Sequence, residues 1–360
     1  MRSIICILLF ILPLSSAFCE NSTLSVIEQY LVPRHCLFKV AATFDRGGKL
    51  YYYNYDEPNH QINFMLYDPD EGVKNCSYEL SYTKNPGMYC NVAPASRGRV
   101  FLFQARLMGD HPTTYQILDK DCSLIKDGFN IGGLETIQAY DGNPIMISAG
   151  GGIDNRDPKS NLSILLEEGE ARIYGILNFG TLHPYGTFGY FMTNDATVLV
   201  CTHSLIDTNA HATSSNIDLS RLLIATFNTR SERVIDTVIV STSDSKIAHL
   251  SDINPTDRAK MDTLSNGDII IMFPETEEVR GYIHGLNTHA RFIRLTRDLS
   301  LRPLDMGIVK GIPDDKELKG KRPLQWIWFA MDYTTMKVER NYVVITDDAI
   351  YYDQHLYDCR

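Results

Sequence analysis

Histidine and acidic residues crowd into five stretches of this chain. They are DEPNHQ (56–61), ARLMGDHPT (105–113), AGGGIDNRDPKSN (149–161), HSLIDTNAHATSSNIDLS (203–220) and PETEEVRGYIHGLNTHA (274–290). Between them they hold His60, His111, His203, His211, His284 and His289, six of the ten histidines, with Asp56, Asp110, Asp154, Asp157, Asp207 and Glu275 alongside. Imidazole titrates near neutrality and ligates transition metals, whereas carboxylates and carbonyls suit calcium. A carboxylate pair about 5–10 Å apart could cleave a glycosidic bond. Against this, connecting loops are polar simply because their backbone stays solvated.

Individual spacings narrow the choice. Asp154-Asn155-Arg156-Asp157 follows Gly150–Gly152 but lacks the alternating acidic positions and trailing glycine of a calcium loop, so it reads as a glycine-rich Asx turn. His284 and His289 are five apart, wrong for a shared helix face, and His203 and His211 lie eight apart in one long loop, so either pair converges only through a hairpin loop. There is no H-E-x-x-H, G-x-S-x-G, Walker A or strand-following G-x-G-x-x-G sequence. No cofactor is therefore assigned, and calcium is the metal such loops would suit. In TLHPYGTFGYF, Tyr185 and Tyr190 add aromatic groups of the kind that build recognition surfaces. The run Tyr51, Tyr52, Tyr53 and Tyr55 is read as strand packing, since alternation buries half of such a run.

The elements that must hold these residues repeat along the chain. Six segments read as a strand, a tight polar turn and a more apolar strand: VAATFDRGGKLYYYNY, NVAPASRGRVFLFQ, TIQAYDGNPIMIS, GYFMTNDATVLVCT, KMDTLSNGDIIIMF and TMKVERNYVVIT. Their turn landmarks, Gly48, Gly98, Gly142, Asp195, Gly267 and Asn341, recur at intervals between 44 and 74 residues. Glycine, asparagine and aspartate serve there because tight hairpins need positive φ. After each of the first five comes a second hairpin: INFMLYDPDEGV, TYQILDKDCSL, LSILLEEGEA, RLLIATFNTRSE and RFIRLTRDLSL. Two hairpins per repeat make four antiparallel strands. Helical periodicity is confined to about one turn near Val26–Leu31. Such a chain is all-β.

Four-stranded repeats of this length resemble the blades of the β-propeller superfold, over nearly the whole chain after the leader. The resemblance implies six four-stranded blades, with N- and C-terminal strands closing the ring; the two longest repeats have room for further strands, which leaves five, seven or eight blades as alternatives. The Leu24–Leu31 stretch or a strand near Leu37 would complete a last blade that looks short after Thr346. Two stacked β-sandwiches are the competing all-β arrangement. Neither the sialidase S-x-D-x-G-x-T-W box nor a WD dipeptide is present, since Trp326 and Trp328 sit in QWIWFAM. In a propeller the tight turns lie on one rim and the five polar stretches named above on the other. That rim is the expected ligand face, with His60, His111, Asp154, His203, His211, His284 and Tyr185 as its candidates. Asp45, Asp141 and Asp195 fall on the tight-turn rim and read as structural.

Residues 1–17, MRSIICILLFILPLSSA, read as a signal peptide, with Arg2, an apolar stretch too short to span a bilayer, and small residues before the cut. Residues 18–360 then form a single secreted domain. In an oxidising compartment Cys19, Cys36, Cys76, Cys90, Cys122, Cys201 and Cys359 are disulfide candidates. A Cys36–Cys359 bond near the two ends would lock the ring, and Cys76 could meet Cys122. Sequons stand at Asn21, Asn75 and Asn161. The net charge of −10 argues against nucleic acid and anionic membrane surfaces, and no membrane span is expected. The functional expectation is a secreted, non-catalytic propeller that binds an extracellular protein, glycan or small ligand. The alternative is a calcium-assisted hydrolase, or a glycosidase, acting at the channel mouth.

Overall fold

The computed structural model describes residues 22–31, 40–45, 47–56, 61–79, 88–94, 100–106, 113–119, 121, 123–130, 136–140, 143–150, 159–165, 171–178, 184–194, 197–205, 217–228, 231, 233–250, 259–275, 289–321, 323–332 and 336–359. They form six sheets that follow one another along the chain. The first is β1 (Val40–Phe44), β2 (Leu50–Asp56), β3 (Gln61–Asp68) and β4 (Gly72–Glu79). The second is β5 (Met88–Pro94), β6 (Val100–Arg106), β7 (Thr113–Leu118) and β8 (Leu124–Asn130). The third is β9 (Thr136–Tyr140), β10 (Asn143–Gly150), β11 (Lys159–Leu165) and β12 (Ala171–Asn178). The fourth is β13 (Pro184–Asn194), β14 (Thr197–Leu205), β15 (Ile217–Asn228) and β16 (Arg233–Ser241). In each of these four the strands pair in sequence order, as the two-hairpin repeat requires.

The fifth sheet orders β17 (Ala248–Leu250), β20 (His289–Leu295), β19 (Ile269–Glu275) and β18 (Lys260–Thr263), with β21 (Leu301–Arg302) also on β20. The sixth orders β22 (Gly307–Lys310), β25 (Ala349–Asp358), β24 (Lys337–Ile345) and β23 (Leu324–Asp332), and β22 runs parallel to β25. The longer later repeats thus conceal the extra strands β17 and β22.

Packing places each sheet between two neighbours. In β19, Ile269, Ile271 and Phe273 join Leu199, Leu222 and Ile224 of the fourth sheet in one core. The alternate residues Ile270 and Met272 join Trp328, Val343 and Ile345 of the sixth. A strand covered on both faces must be apolar throughout, hence the unbroken IIIMF. The same alternation in β24 sends Val343 and Ile345 toward the fifth sheet and Tyr342 and Val344 toward Leu50, Tyr52 and Met65 of the first. The edge strands β1, β5, β9, β13 and β18 contact in succession, and β1 also contacts β23.

The sixth repeat departs from expectation. Asn341 is no turn landmark: it lies mid-strand in β24, fully buried, and the hairpin partner of β24 is the QWIWFAM strand β23. This sheet is also traversed in the opposite sense. Ser265, in the 264–268 turn that ends β18, donates to Asp347 beyond the end of β24 (2.6 Å). Leu324, the first residue of β23, pairs with Ile345 at that same end. So β1 and β18 finish at the tight-turn end, whereas β23 starts there.

The N-terminus does not close the ring as a strand within its described part. Residues 23–31 are helical, α1 (Thr23–Val26) continuing into a π-helical turn (Ile27–Leu31). Ser22 caps α1, its hydroxyl accepting from the Ser25 N–H at 3.2 Å. Val26, Ile27 and Leu31 are fully buried between Leu50, Tyr52 and Met65 of the first sheet and Ile327, Tyr342 and Val344 of the sixth. α2 (Asp315–Leu318) sits beside them, Asp315 accepting from the Thr23 backbone N–H at 2.7 Å. A stretch with apolar residues at positions 24, 26, 27 and 31 suits a helical wedge better than an alternating strand. The segment near Leu37 lies outside the described residues.

Three of the tight turns are longer than two-residue loops. In 45–49, 264–268 and 296–300 the first residue's N–H donates to the fifth residue's carbonyl, and the fourth residue's N–H to the first carbonyl. The fourth residue carries positive φ: Gly48 at 82°, Gly267 at 84° and, without being glycine, Leu299 at 60°. This is a type I turn with a bulge residue. Gly98, Gly142 and Asp195 lie outside the described residues.

Candidate functional site

At the end of the sheets away from these turns lies the start of β13. Tyr185 and His203 are direct register partners on β13 and β14. The ladder shifts on both sides of His203. Between Tyr185 and Gly189 strand β13 carries two more residues than β14 opposite it. Between His203 and Ser204 the pairing on β15 jumps from Leu222 to Asp218. Irregularities of this kind bend a strand and re-aim its residues, and they gather next to functional sites. The result is one irregular sheet end where Tyr185 pairs with His203 and Asp218 pairs with Ser204, beside an edge strand that contacts neighbouring sheets.

This revises two expectations. Tyr185 is not in a connecting loop but in β13, and His203 is not in a loop but in β14, which runs on to Leu205. The apolar TVLVCT run and the PYGTFGYF alternation extend both strands further than turn-based reading allowed. His289 likewise opens β20, with Glu275 as its register partner. Asp218 went unnamed in the sequence, and only strand pairing brings it to Ser204. His60, His111, Asp154, His211 and His284 lie outside the described residues, as do Asn21 and Cys36. Among the described residues there is no group of three or more His, Cys, Asp or Glu arranged to hold a metal ion.

A second polar assembly lies where the first and sixth sheets meet. Arg340 of β24 is buried, its side chain 1% exposed. Its guanidinium donates to Asp353 on β25 and to Glu28 of the π-helical turn at 3.3 Å. The Tyr357 ring stands 5.9 Å from the guanidinium carbon, within cation–π range. Burial pushes the Tyr357 hydroxyl pKa up, and the neighbouring Arg340 charge opposes that. On the other face of β24, the Asn341 amide donates to Glu339 at 3.0 Å. The sequence ERN inside KVERNYVVI signalled this only indirectly, as charge where a strand should be apolar.

The opposite, tight-turn end is held by aspartates. Asp45 Oδ1 accepts from the backbone N–H of Gly47 at 2.7 Å and of Lys49 at 2.9 Å, and Tyr51 donates to Oδ2 at 3.2 Å. Burial nevertheless raises the Asp45 pKa, and burial together with the Asp45 charge raises that of Tyr51. Asp119 repeats the motif, accepting from Asp121 and Ser123 N–H groups at 2.8 Å each. Asp45 is therefore a structural cap. Tyr51 and Tyr52, 2% and 0% exposed, are both core residues, so this strand packs on both faces rather than on the one that alternation alone would bury.

Cys76 and Cys359 each take part in a disulfide bond, and Cys36 and Cys122 lie outside the described residues. Asn75 is exposed on β4, and Asn161 lies in β11 at a register shift. Among the described residues no helix is long and apolar enough to cross a membrane.

No protein-family model matches the chain, and no curated protein matches it. Among solved structures, hydrazine synthase of Kuenenia stuttgartiensis is 13% identical with a TM-score of 0.43, over 85% of this chain and 76% of that one. A GH43 β-1,3-galactosidase is 10% identical with a TM-score of 0.39, over 73% and 92%. An exo-β-1,3-galactanase from Clostridium thermocellum is 11% identical with a TM-score of 0.38, over 86% and 72%. Likeness at this level carries no argument about activity, and the fold rests on the chain's own sheet order.

Proposed function

We propose that this chain is a secreted six-bladed β-propeller that binds an extracellular protein, glycan or small ligand at the sheet end where Tyr185 pairs with His203. The six consecutive sheets support the blade count. The observation that carries the functional reading is the double register shift around His203, on and beside an edge strand that touches the neighbouring sheets. A sheet end bent on both sides of a histidine and paired to a tyrosine has the residue types for hydrogen bonding and stacking on one ligand. His60, His111, Asp154, His211 and His284 belong to the same face in this reading. A Cys36–Cys359 bond ties the two ends of the chain, and glycans at Asn21, Asn75 and Asn161 accompany export.

The test is a glycan-array and protein-partner screen of the chain collected from culture medium, run beside His203→Ala and Tyr185→Phe. Elemental analysis and thermal melts with and without chelator accompany it. A ligand whose binding both substitutions weaken supports the reading, provided the melts are unchanged. Stoichiometric metal, with a melt that falls by several degrees on chelation, would replace it with the metal-assisted hydrolase. A chain retained inside the cell would remove the extracellular reading altogether.

A further inference from the structure

Among the described residues strand β16 is the outer edge of the fourth sheet, nine residues from Arg233 to Ser241, with no strand paired on its far side and β12 of the third sheet in contact with it. Edge strands usually carry lysine, proline or a covering element to prevent pairing with another chain. The polar edge β4 follows that rule, with Lys74 ion-paired to Asp121 of the second sheet at 2.7 Å. β16 does not: it has neither lysine nor proline, and it exposes Ile235 (58%) and Ile239 (49%). Val238 and Val240 pack inward on the core shared with the fifth sheet.

The segment VIDTVIV (234–240) is nearly palindromic about Thr237. Two copies of it laid antiparallel across a two-fold axis would match Thr237 with Thr237, Ile235 with Ile239, Val234 with Val240 and Arg233 with Ser241. Apart from Asp236, which would face Val238, aliphatic side chains would meet aliphatic side chains, and no like charges would stand directly opposite one another, conditions that favour cross-strand pairs. The backbone suits this register. Asp236 is the ladder partner of Thr226, whose hydroxyl reaches its carbonyl at 3.5 Å, so alternation turns the Thr237 N–H to the open side. There that N–H is satisfied by the Asp236 carboxylate at 2.8 Å.

We infer that β16 is an isologous dimerisation edge, on which a second copy of this chain continues the fourth sheet into an eight-stranded sheet. The Thr237 N–H exchanges its Asp236 cap for the carbonyl of the partner copy's Thr237. A two-fold contact is self-complementary by definition, which explains a palindrome that folding of one chain does not need.

The test is sedimentation equilibrium of the full chain with two substitutions. Thr237→Pro removes the central outward N–H but leaves the ladder to β15, and Ile239→Lys charges the exposed face. Wild type should dimerise, with each substitution raising the dissociation constant at least about tenfold and leaving the thermal melt in place. Paired residues of this kind have Cα atoms about 5.5 Å apart, within disulfide reach. Thr237→Cys should therefore form a disulfide-linked dimer under mild oxidation, whereas Ser241→Cys, opposite Arg233, should not. A monomer at all concentrations overturns the inference. So does a dimer that survives Thr237→Pro and Ile239→Lys, or one that Ser241→Cys cross-links as readily as Thr237→Cys.

Discussion

Removing the positive charge at the seam between the first and sixth sheets should show how the N-terminal helical wedge is held. The Arg340 side chain is 1% exposed, Asp353 is 26% exposed and Glu28 is 50% exposed. Breaking a buried ion pair from one side costs about 3–5 kcal/mol, because the remaining charge is stranded. Arg340→Ala strands Asp353, which water partly reaches, so about 3 kcal/mol is expected. Asp353→Asn leaves a buried guanidinium with Glu28 at 3.3 Å as its remaining charged partner, and should cost a similar amount. Glu28→Gln removes a half-solvated partner and should cost no more than about 1 kcal/mol. The double change Arg340→Met with Asp353→Leu should recover most of the loss, because an apolar pair of similar volume replaces a buried ion pair at little net cost. Urea unfolding with disulfides intact reads all four. Hydrogen exchange at Val26 and Ile27 reads the wedge itself, which Glu28→Gln should loosen locally. If Glu28→Gln costs as much as Asp353→Asn, or the double variant is as unstable as Arg340→Ala, the burial argument fails.

Other consequences are local. Leu299 holds positive φ while its side chain is 2% exposed in the core shared by the fourth and fifth sheets. Leu299→Ala should cost about 2–5 kcal/mol, and Leu299→Gly should be no worse, since glycine returns about 1 kcal/mol of backbone strain; denaturant midpoints with alanine clearly ahead would contradict this. Gly48→Ala should destabilise by about 1–2 kcal/mol, because φ is 82° and the new methyl would stand 3.0 Å from the Gln325 amide nitrogen; an unchanged melt would refute it. Burial pushes the Asp68 carboxyl up, but the Lys49 hydrogen bond at 2.5 Å, the Asp70 N–H and the Lys49 charge outweigh it and hold the pKa below 3.8. Its stabilisation is therefore present above the ordinary value and lost as pH falls through the lowered one. Lys49 is 41% exposed, so solvent limits the effect to about 0.5–1 kcal/mol, and Asp68→Asn should flatten the acid limb of a stability–pH curve by that amount.

The hairpins were legible because they are local. Five of the six strand–turn–strand segments read from turn residues and apolar alternation are the hairpins β1–β2, β5–β6, β9–β10, β13–β14 and β18–β19. The sixth failed for a physical reason: Arg340-Asn341 inside an apolar run has the composition of a turn. Asp353 and Glu28 compensate Arg340, and Glu339 compensates Asn341, and the first two lie on other elements. The same limit hid the end of the fourth sheet. His203 and Tyr185 were named from residue type alone, but a register shift is a property of two strands, so neither their pairing nor the place of Asp218 could be read from one. The palindrome in β16 is the converse case. It was present in the sequence throughout, yet it gained meaning only once VIDTVIV stood on an edge with its isoleucines in solvent. In the interior of a sheet the same residues would be ordinary core.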